Sequence, residues 1–192
     1  MIHFQRFANS DVMPLLLAIR RNPELWKEDT YLRDYPQGPF GEVGTIILRF
    51  PVKRVLEQEA EVEAVAKGEH PTIDQHECVD YPAYKLLHEA RPMVMNLMHY
   101  VQGERLGRVM INKIAPGGRI FPHADTPFHA EYWSRHHICL WGLPGAVIRC
   151  DNEQMQFQTG EVFWFNNSLE HEVTNNSADD RISMVVDIRT AR

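Results

Sequence analysis

Apolar positions change their rhythm at Gly107. Before it they recur at helical spacing or cluster in loops, and after it they alternate over short runs divided by turn residues. Val12, Leu15, Leu16 and Ile19 form one helical stripe, with Ser10 or Asp11 as cap, Pro14 in the first turn and Asn22-Pro23 as the stop. Residues 24–44 are rich in aromatics, Pro and Gly and read as a loop; 45–50 reads as a strand ended by Pro51. Leu86, Leu87, Ala90, Val94, Leu97, Met98 and Val101 predict a helix over 81–101, which Pro92 is expected to kink or split. Strands are predicted at 108–115, 118–122, 136–141, 145–150, 154–158, 161–165, 171–174 and 181–188, separated by Gly, Pro, Asn and Asp turns. Eight short strands at this spacing, with polar residues among them, point to a jelly roll of the cupin kind. The class is therefore mainly β with flanking helices.

Composition narrows this further. A chain of 192 residues, 44% hydrophobic and 24% charged, fits one domain over 1–192, with a helical and loop flank at 1–107 and a β core at 108–192. There is no internal repeat or linker. The net charge of -6 and the lack of a basic run disfavour a nucleic-acid partner. No apolar run is long enough for a bilayer span, and the start MIHFQRFANS is unlike a secretion signal. Cys78, Cys139 and Cys150 are odd in number and widely spaced, which suits free thiols in a reducing, cytoplasmic setting. Between Glu57 and Asp80 eight acidic residues face one basic residue, Lys67, so this stretch is expected to be a solvated loop or a lid. His70, His76 and Cys78 within it are expected at the surface.

The candidate chemistry lies in the β region. His123 and Asp125 are two apart, which on a strand puts both on one face. His171 heads a later predicted strand. Two imidazoles and one carboxylate form the facial set of non-haem Fe(II) oxygenases, with coordination positions left open for a co-substrate and O2. A 2-oxo acid supplies two electrons on decarboxylation, and its far carboxylate needs a fixed cation. Arg181 lies ten residues after His171, across a reversing loop at 175–180, and its planar fork suits a carboxylate. Arg135 and His137 share a strand face and are expected to complete the clamp, with His136 turned away. Asp187 and Arg189 are expected in structural pairs, and Asn166 and Asn167 are expected to order the loop before His171.

At these residues the sequence resembles the aspartyl/asparaginyl β-hydroxylase family of 2-oxoglutarate-dependent dioxygenases. The resemblance runs from Arg108 to Ile188, through Pro116-Gly117, Phe121-Pro122-His123, Arg135-His136-His137, Ile148-Arg149-Cys150, Gly160-Glu161-Val162, Leu169-Glu170-His171-Glu172-Val173 and Arg181. It implies a double-stranded β-helix, iron at His123 and His171, and 2-oxoglutarate contacts at Arg135, His137 and Arg181. Asn112 falls where relatives can carry a serine that also contacts the co-substrate. The vertebrate peptidyl hydroxylases of the family have glycine where this chain has Asp125, so the acid restores a full triad here. Roughly three extra residues, falling within 126–134, lie near the expected substrate mouth, so the family's substrate does not transfer.

Two functions follow. One is an Fe(II)- and 2-oxoglutarate-dependent dioxygenase that uses O2 to hydroxylate an unactivated C–H bond of an amino acid or residue. A compact chain favours a free amino acid over a peptidyl Asp or Asn, and no catalytic residue beyond the metal ligands is assigned. The other is a non-catalytic cupin-like module that binds a metal or small acid.

Overall fold

The computed structural model describes residues 1–35, 38–52, 74 and 76–191. The larger part of the acidic stretch, with His70 and the lid expectation, lies outside them. In chain order the elements are β1 (Phe4–Asn9), α1 (Met13–Arg21), α2 (Leu25–Glu28), α3 (Tyr31–Asp34), β2 (Val43–Phe50), β3 (Val79–Asp80), α4 (Ala83–Leu86) and α5 (Ala90–Tyr100). Then follow β4 (Gly103–Ile114), β5 (Arg119–His123), α6 (Pro127–Ala130), β6 (Ser134–Trp141), β7 (Ala146–Cys150), β8 (Glu153–Met155), β9 (Glu161–Phe165), β10 (His171–Asn175) and β11 (Arg181–Thr190).

Two sheets form from these strands. One has the order β1-β9-β6-β11-β4-β2-β3 and the other β5-β10-β7-β8, with every pairing antiparallel. Alternation along β11 explains the layering. Met184, Val186 and Ile188 enter a cluster with Leu15, Leu16 and Ile19 of α1 and Val94 and Leu97 of α5, so the helices cover the outer face of the larger sheet. On the inner face, Phe4, Val43, Ile114, Cys139, Phe163 and Phe165 meet Ile120, Ile148, Cys150 and Val173 of the smaller sheet. Each buried aliphatic or aromatic side chain contributes roughly 1.5–3 kcal/mol. These apolar residues pack between the two sheets, and the polar groups described below lie among and beside them.

Local chemistry sets the helix ends. The Met13 N–H donates to Asp11 Oδ1 at 3.1 Å, and Asn22 Nδ2 donates back to the Ala18 carbonyl at 2.8 Å. The predicted 81–101 helix is two helices. The break falls at 87–89, upstream of Pro92, which sits in the first turn of α5 where a missing N–H costs no hydrogen bond. β1 was not expected from the sequence: its edge position against β9 and a bulge between Arg6 and Ala8 blur the alternation. His76 and Cys78, expected at the surface, are half-buried and buried respectively. The His76 ring stacks on Tyr132 at 3.5 Å between centroids. All three cysteines are free and buried.

Gly145 marks where the β6–β7 connection presses against the loop after β10. Its φ is +103°, and a Cβ would stand 2.8 Å from the Asn176 carbonyl oxygen. Gly145→Ala is therefore expected to lower stability by more than about 1 kcal/mol, read as a fall in the urea midpoint without a change in slope.

Candidate active site

The two imidazoles are direct cross-strand partners, His123 at the end of β5 and His171 at the start of β10. Their ring centroids are 4.3 Å apart. Each ring is oriented by the backbone carbonyl two residues before it. His123 Nδ1 lies 2.8 Å from the Phe121 carbonyl and His171 Nδ1 lies 2.9 Å from the Leu169 carbonyl. Both therefore carry the proton on Nδ1 and present Nε2 as the ligand atom, the arrangement that fixes metal-binding histidines. His123 Nε2 is buried without a hydrogen-bond partner. Burial, and the mutual effect of His123, hold the His171 pKa down at about 4; burial likewise lowers that of His123. Both rings are thus neutral donors near neutrality.

Asp125 reaches the pair by a route other than strand alternation. β5 ends at His123, and Asp125 lies in the following loop, pinned through its backbone N–H to the Asn167 carbonyl at 3.0 Å. Asn167 Nδ2 also donates to Asp125 Oδ2 at 2.6 Å, and Arg135 Nη1 lies 2.6 Å from the same oxygen. Oδ1 is left facing His123 Nε2 at 4.0 Å. Burial opposes ionisation of Asp125, but the Arg135 charge and the Asn167 hydrogen bond outweigh it and lower its pKa. The ligand atoms of His123, Asp125 and His171 all lie within 4.8 Å of one another. Three donors converge with one orphaned nitrogen among them, and the set is one that a divalent first-row ion such as Fe(II) accepts from one side.

Arg135 is placed differently from expectation. Its Nε donates to Asp187 Oδ1 at 2.8 Å and its Nη2 to Asp187 Oδ2 at 3.1 Å, while Nη1 holds Asp125. His129 Nε2, from α6, adds a contact to Asp187 at 3.0 Å. Asp187 is fully buried, and the Arg135 charge with the bonds from His129 and Arg135 overcomes burial to hold its carboxyl well below the usual range. The guanidinium fork is thus engaged with two protein carboxylates rather than offered to a co-substrate. Asn167, whose amide grips the metal-site acid, was expected only to shape its loop; no spacing rule in the sequence links it to Asp125.

Arg181, Ser183, Val185 and Asp187 alternate onto the inner face of β11. The expected return of Arg181 beside the metal strand does not occur, because β10 and β11 lie in different sheets and face each other across the interior. Arg181 is buried, and its Nη2 has no hydrogen-bond partner. Burial lowers its pKa, with the Cys139 thiol working in the opposite direction. His137 lies nearby on the same inner face. It is buried with Nδ1 3.3 Å from Ser183 Oγ, and its Nε2 also lacks a partner. Burial, then the Arg181 charge, push the His137 pKa well down, so the ring is neutral. Asn112 pairs across the ladder with Ser183 and accepts the Thr45 hydroxyl at 3.2 Å. The outward turn of His136 is seen in its ring lying 5.6 Å from that of Phe7.

Comparison with known proteins places this geometry among relatives. Residues 81–191 match the family model described as aspartyl/asparaginyl beta-hydroxylase. The aspartyl/asparaginyl beta-hydroxylases of Mus musculus and Homo sapiens are each 33% identical over 88 residues, which is 45% of this chain and 11% of theirs. This chain therefore matches only a small part of those much longer relatives. Among solved structures, a viral collagen prolyl hydroxylase from Paramecium Bursaria Chlorella virus-1 aligns with a TM-score of 0.51 at 9% identity, over 99% of this chain and 97% of that one. An oxidoreductase of the 2OG-Fe(II) oxygenase family from Burkholderia pseudomallei aligns with a TM-score of 0.50 at 17% identity, over 77% and 67%. These likenesses are of fold.

Proposed function

Because the chain belongs to the aspartyl/asparaginyl β-hydroxylase family, we propose that this interior is the active site of an Fe(II)- and 2-oxoglutarate-dependent hydroxylase acting on a free amino acid. The observation that carries it is the pair of unmet needs between the two sheets: a convergent His123–Asp125–His171 donor set, and a buried Arg181 with an unpartnered Nη2. An unpaired buried cation is costly, so its retention marks a site for an anion.

His123, Asp125 and His171 would hold the iron. When bound, the iron supplies the oxygen chemistry that turns 2-oxoglutarate, O2 and a C–H bond into succinate, CO2 and an alcohol. The chain's own residues bind and orient. Arg181 takes the far carboxylate of 2-oxoglutarate, with His137 Nε2 and the Ser183 and Asn112 side chains forming a polar strip beside it. Asn167 and Arg135 keep Asp125 ionised and offer one of its oxygens inward. Phe163 and Phe165 wall the His137 ring at 5.1 and 5.2 Å between centroids and keep water from the carboxylate anchor.

The test is an oxygen-electrode trace with Fe(II) and 2-oxoglutarate, scanned over free amino acids, with mass spectrometry for a product one oxygen atom heavier. Absence of O2 and 2-oxoglutarate consumption throughout favours a non-catalytic binding module. A second measurement addresses the anchor. Arg181→Met is expected to weaken 2-oxoglutarate binding by roughly ten- to a hundredfold, since a charge-assisted hydrogen bond is worth about 1.5–3 kcal/mol. The same change should raise the melting temperature of the metal-free protein, because an uncompensated buried charge is removed. A fall in both quantities would make Arg181 a structural residue.

A further inference from the structure

We infer that Arg108 anchors the substrate's carboxylate, at the end of the interior away from Arg181; this rests on the reading of Arg181 as the 2-oxoglutarate anchor. Arg108 alternates with Val109 and Ile111, which are buried in the outer cluster against the helices, so it shares the inner face of β4 with Met110, Asn112 and Ile114. Its Cζ lies 4.9 Å from the centre of the Phe50 ring. Phe50 in turn packs with Ile47, Met110 and Val185.

No hydrogen bond or ion pair holds the half-buried Arg108 guanidinium among the described residues. Asp187 is the acid whose charge it feels most. That carboxylate is already taken by Arg135 at 2.8 and 3.1 Å and by His129 at 3.0 Å. Among the described residues, then, Arg108 is a cation in the site with no acid of its own.

Its position decides what it would meet. Along β11 the inward residues run from Arg181 through Ser183 and Val185 to Asp187, a span of roughly 20 Å at strand spacing. Arg135 reaches from Asp187 toward the metal ligands, since it joins Asp187 directly to Asp125. A dicarboxylate held between the ligands and Arg181 lies on the Arg181 side of them, and the side toward Asp187 and Arg108 belongs to the substrate. The occupant that fits is a monocarboxylate with an apolar body: the carboxylate on Arg108 and the body against Met110, Val185 and Ile47.

The probes are aliphatic L-amino acids and their carboxamides, titrated by calorimetry into the anaerobic Fe(II)–2-oxoglutarate holoenzyme. At least one acid is expected to bind roughly tenfold or more tightly than its amide, the worth of a charge-assisted contact. Arg108→Gln should erase that preference, Arg108→Lys should keep part of it, and 2-oxoglutarate affinity should move less than about threefold in either. Equal binding of acid and amide across the panel overturns the inference, as does an unchanged preference in Arg108→Gln. Should Arg108→Gln not fold, the wild-type comparison and Arg108→Lys decide. Failure of 2-oxoglutarate to bind the wild-type holoenzyme sinks the oxygenase reading instead.

Discussion

His171→Ala is expected to abolish Fe(II)-dependent 2-oxoglutarate consumption, with a loss beyond about a thousandfold. The ring supplies one of the three donor groups that converge among the described residues, and alanine has no atom that could replace it. Even groups that merely hold a ligand typically account for roughly 10–100-fold in metal affinity or activity, and removal of the ligand should exceed that. Bound iron after desalting and the rate of succinate release check the two halves of the claim. Undiminished turnover in this variant would remove His171 from the centre. The fold should survive, because Nδ1 bonds only the Leu169 carbonyl two residues before it and the neighbouring ladder is backbone.

Asp187→Ala is expected to give the largest loss of stability, about 3–5 kcal/mol, because it leaves the buried Arg135 guanidinium fork and His129 without their shared carboxylate, with Asp125 alone to offset the charge. In a domain of this size that is a fall in melting temperature on the order of 10 °C. Metal affinity should fall too, since Arg135 loses the partner that aims it at Asp125. The pH dependence follows from the depressed folded-state pKa of Asp187. Its contribution is present above the unfolded carboxyl value near about 4 and is lost as pH falls toward the lower folded-state value. Urea midpoints at pH 7 and below about pH 4 test this: the gap between wild type and Asp187→Ala should be unchanged above that value and narrow below it. A constant gap would mean the carboxylate charge is not what stabilises.

Short-range pattern carried much of the architecture. The runs after Gly107 alternate because one face of each strand meets the other sheet or the helices, and β6, β7, β9, β10 and β11 lie close to where alternation puts them. The inward turn of Arg135 and His137, with His136 outward, follows from the same period of two. Long-range choices were not legible. Strand spacing could not tell that β10 and β11 part into different sheets. The His123–Asp125 interval suggested strand geometry, whereas Asn167, 42 residues away from the acid, actually sets the Asp125 side chain. The partner of Arg135 was hidden for the same reason: Asp187 is 52 residues distant and met only through sheet register. β1 escaped because an edge strand with a bulge has too little alternation to stand out.

The bond between Arg135 and Asp125 has a consequence for how the site can vary. One guanidinium nitrogen is committed to the very acid that the resembling vertebrate peptidyl enzymes replace by glycine. Losing the carboxylate would therefore subtract a donor from the ion and, in the same stroke, free Nη1 of Arg135 toward the incoming keto acid. An acid at 125 and an idle Nη1 at 135 exclude each other, so the two residues form a single two-way setting. Chimeras that exchange one without regard to the other should behave worse than either parent arrangement.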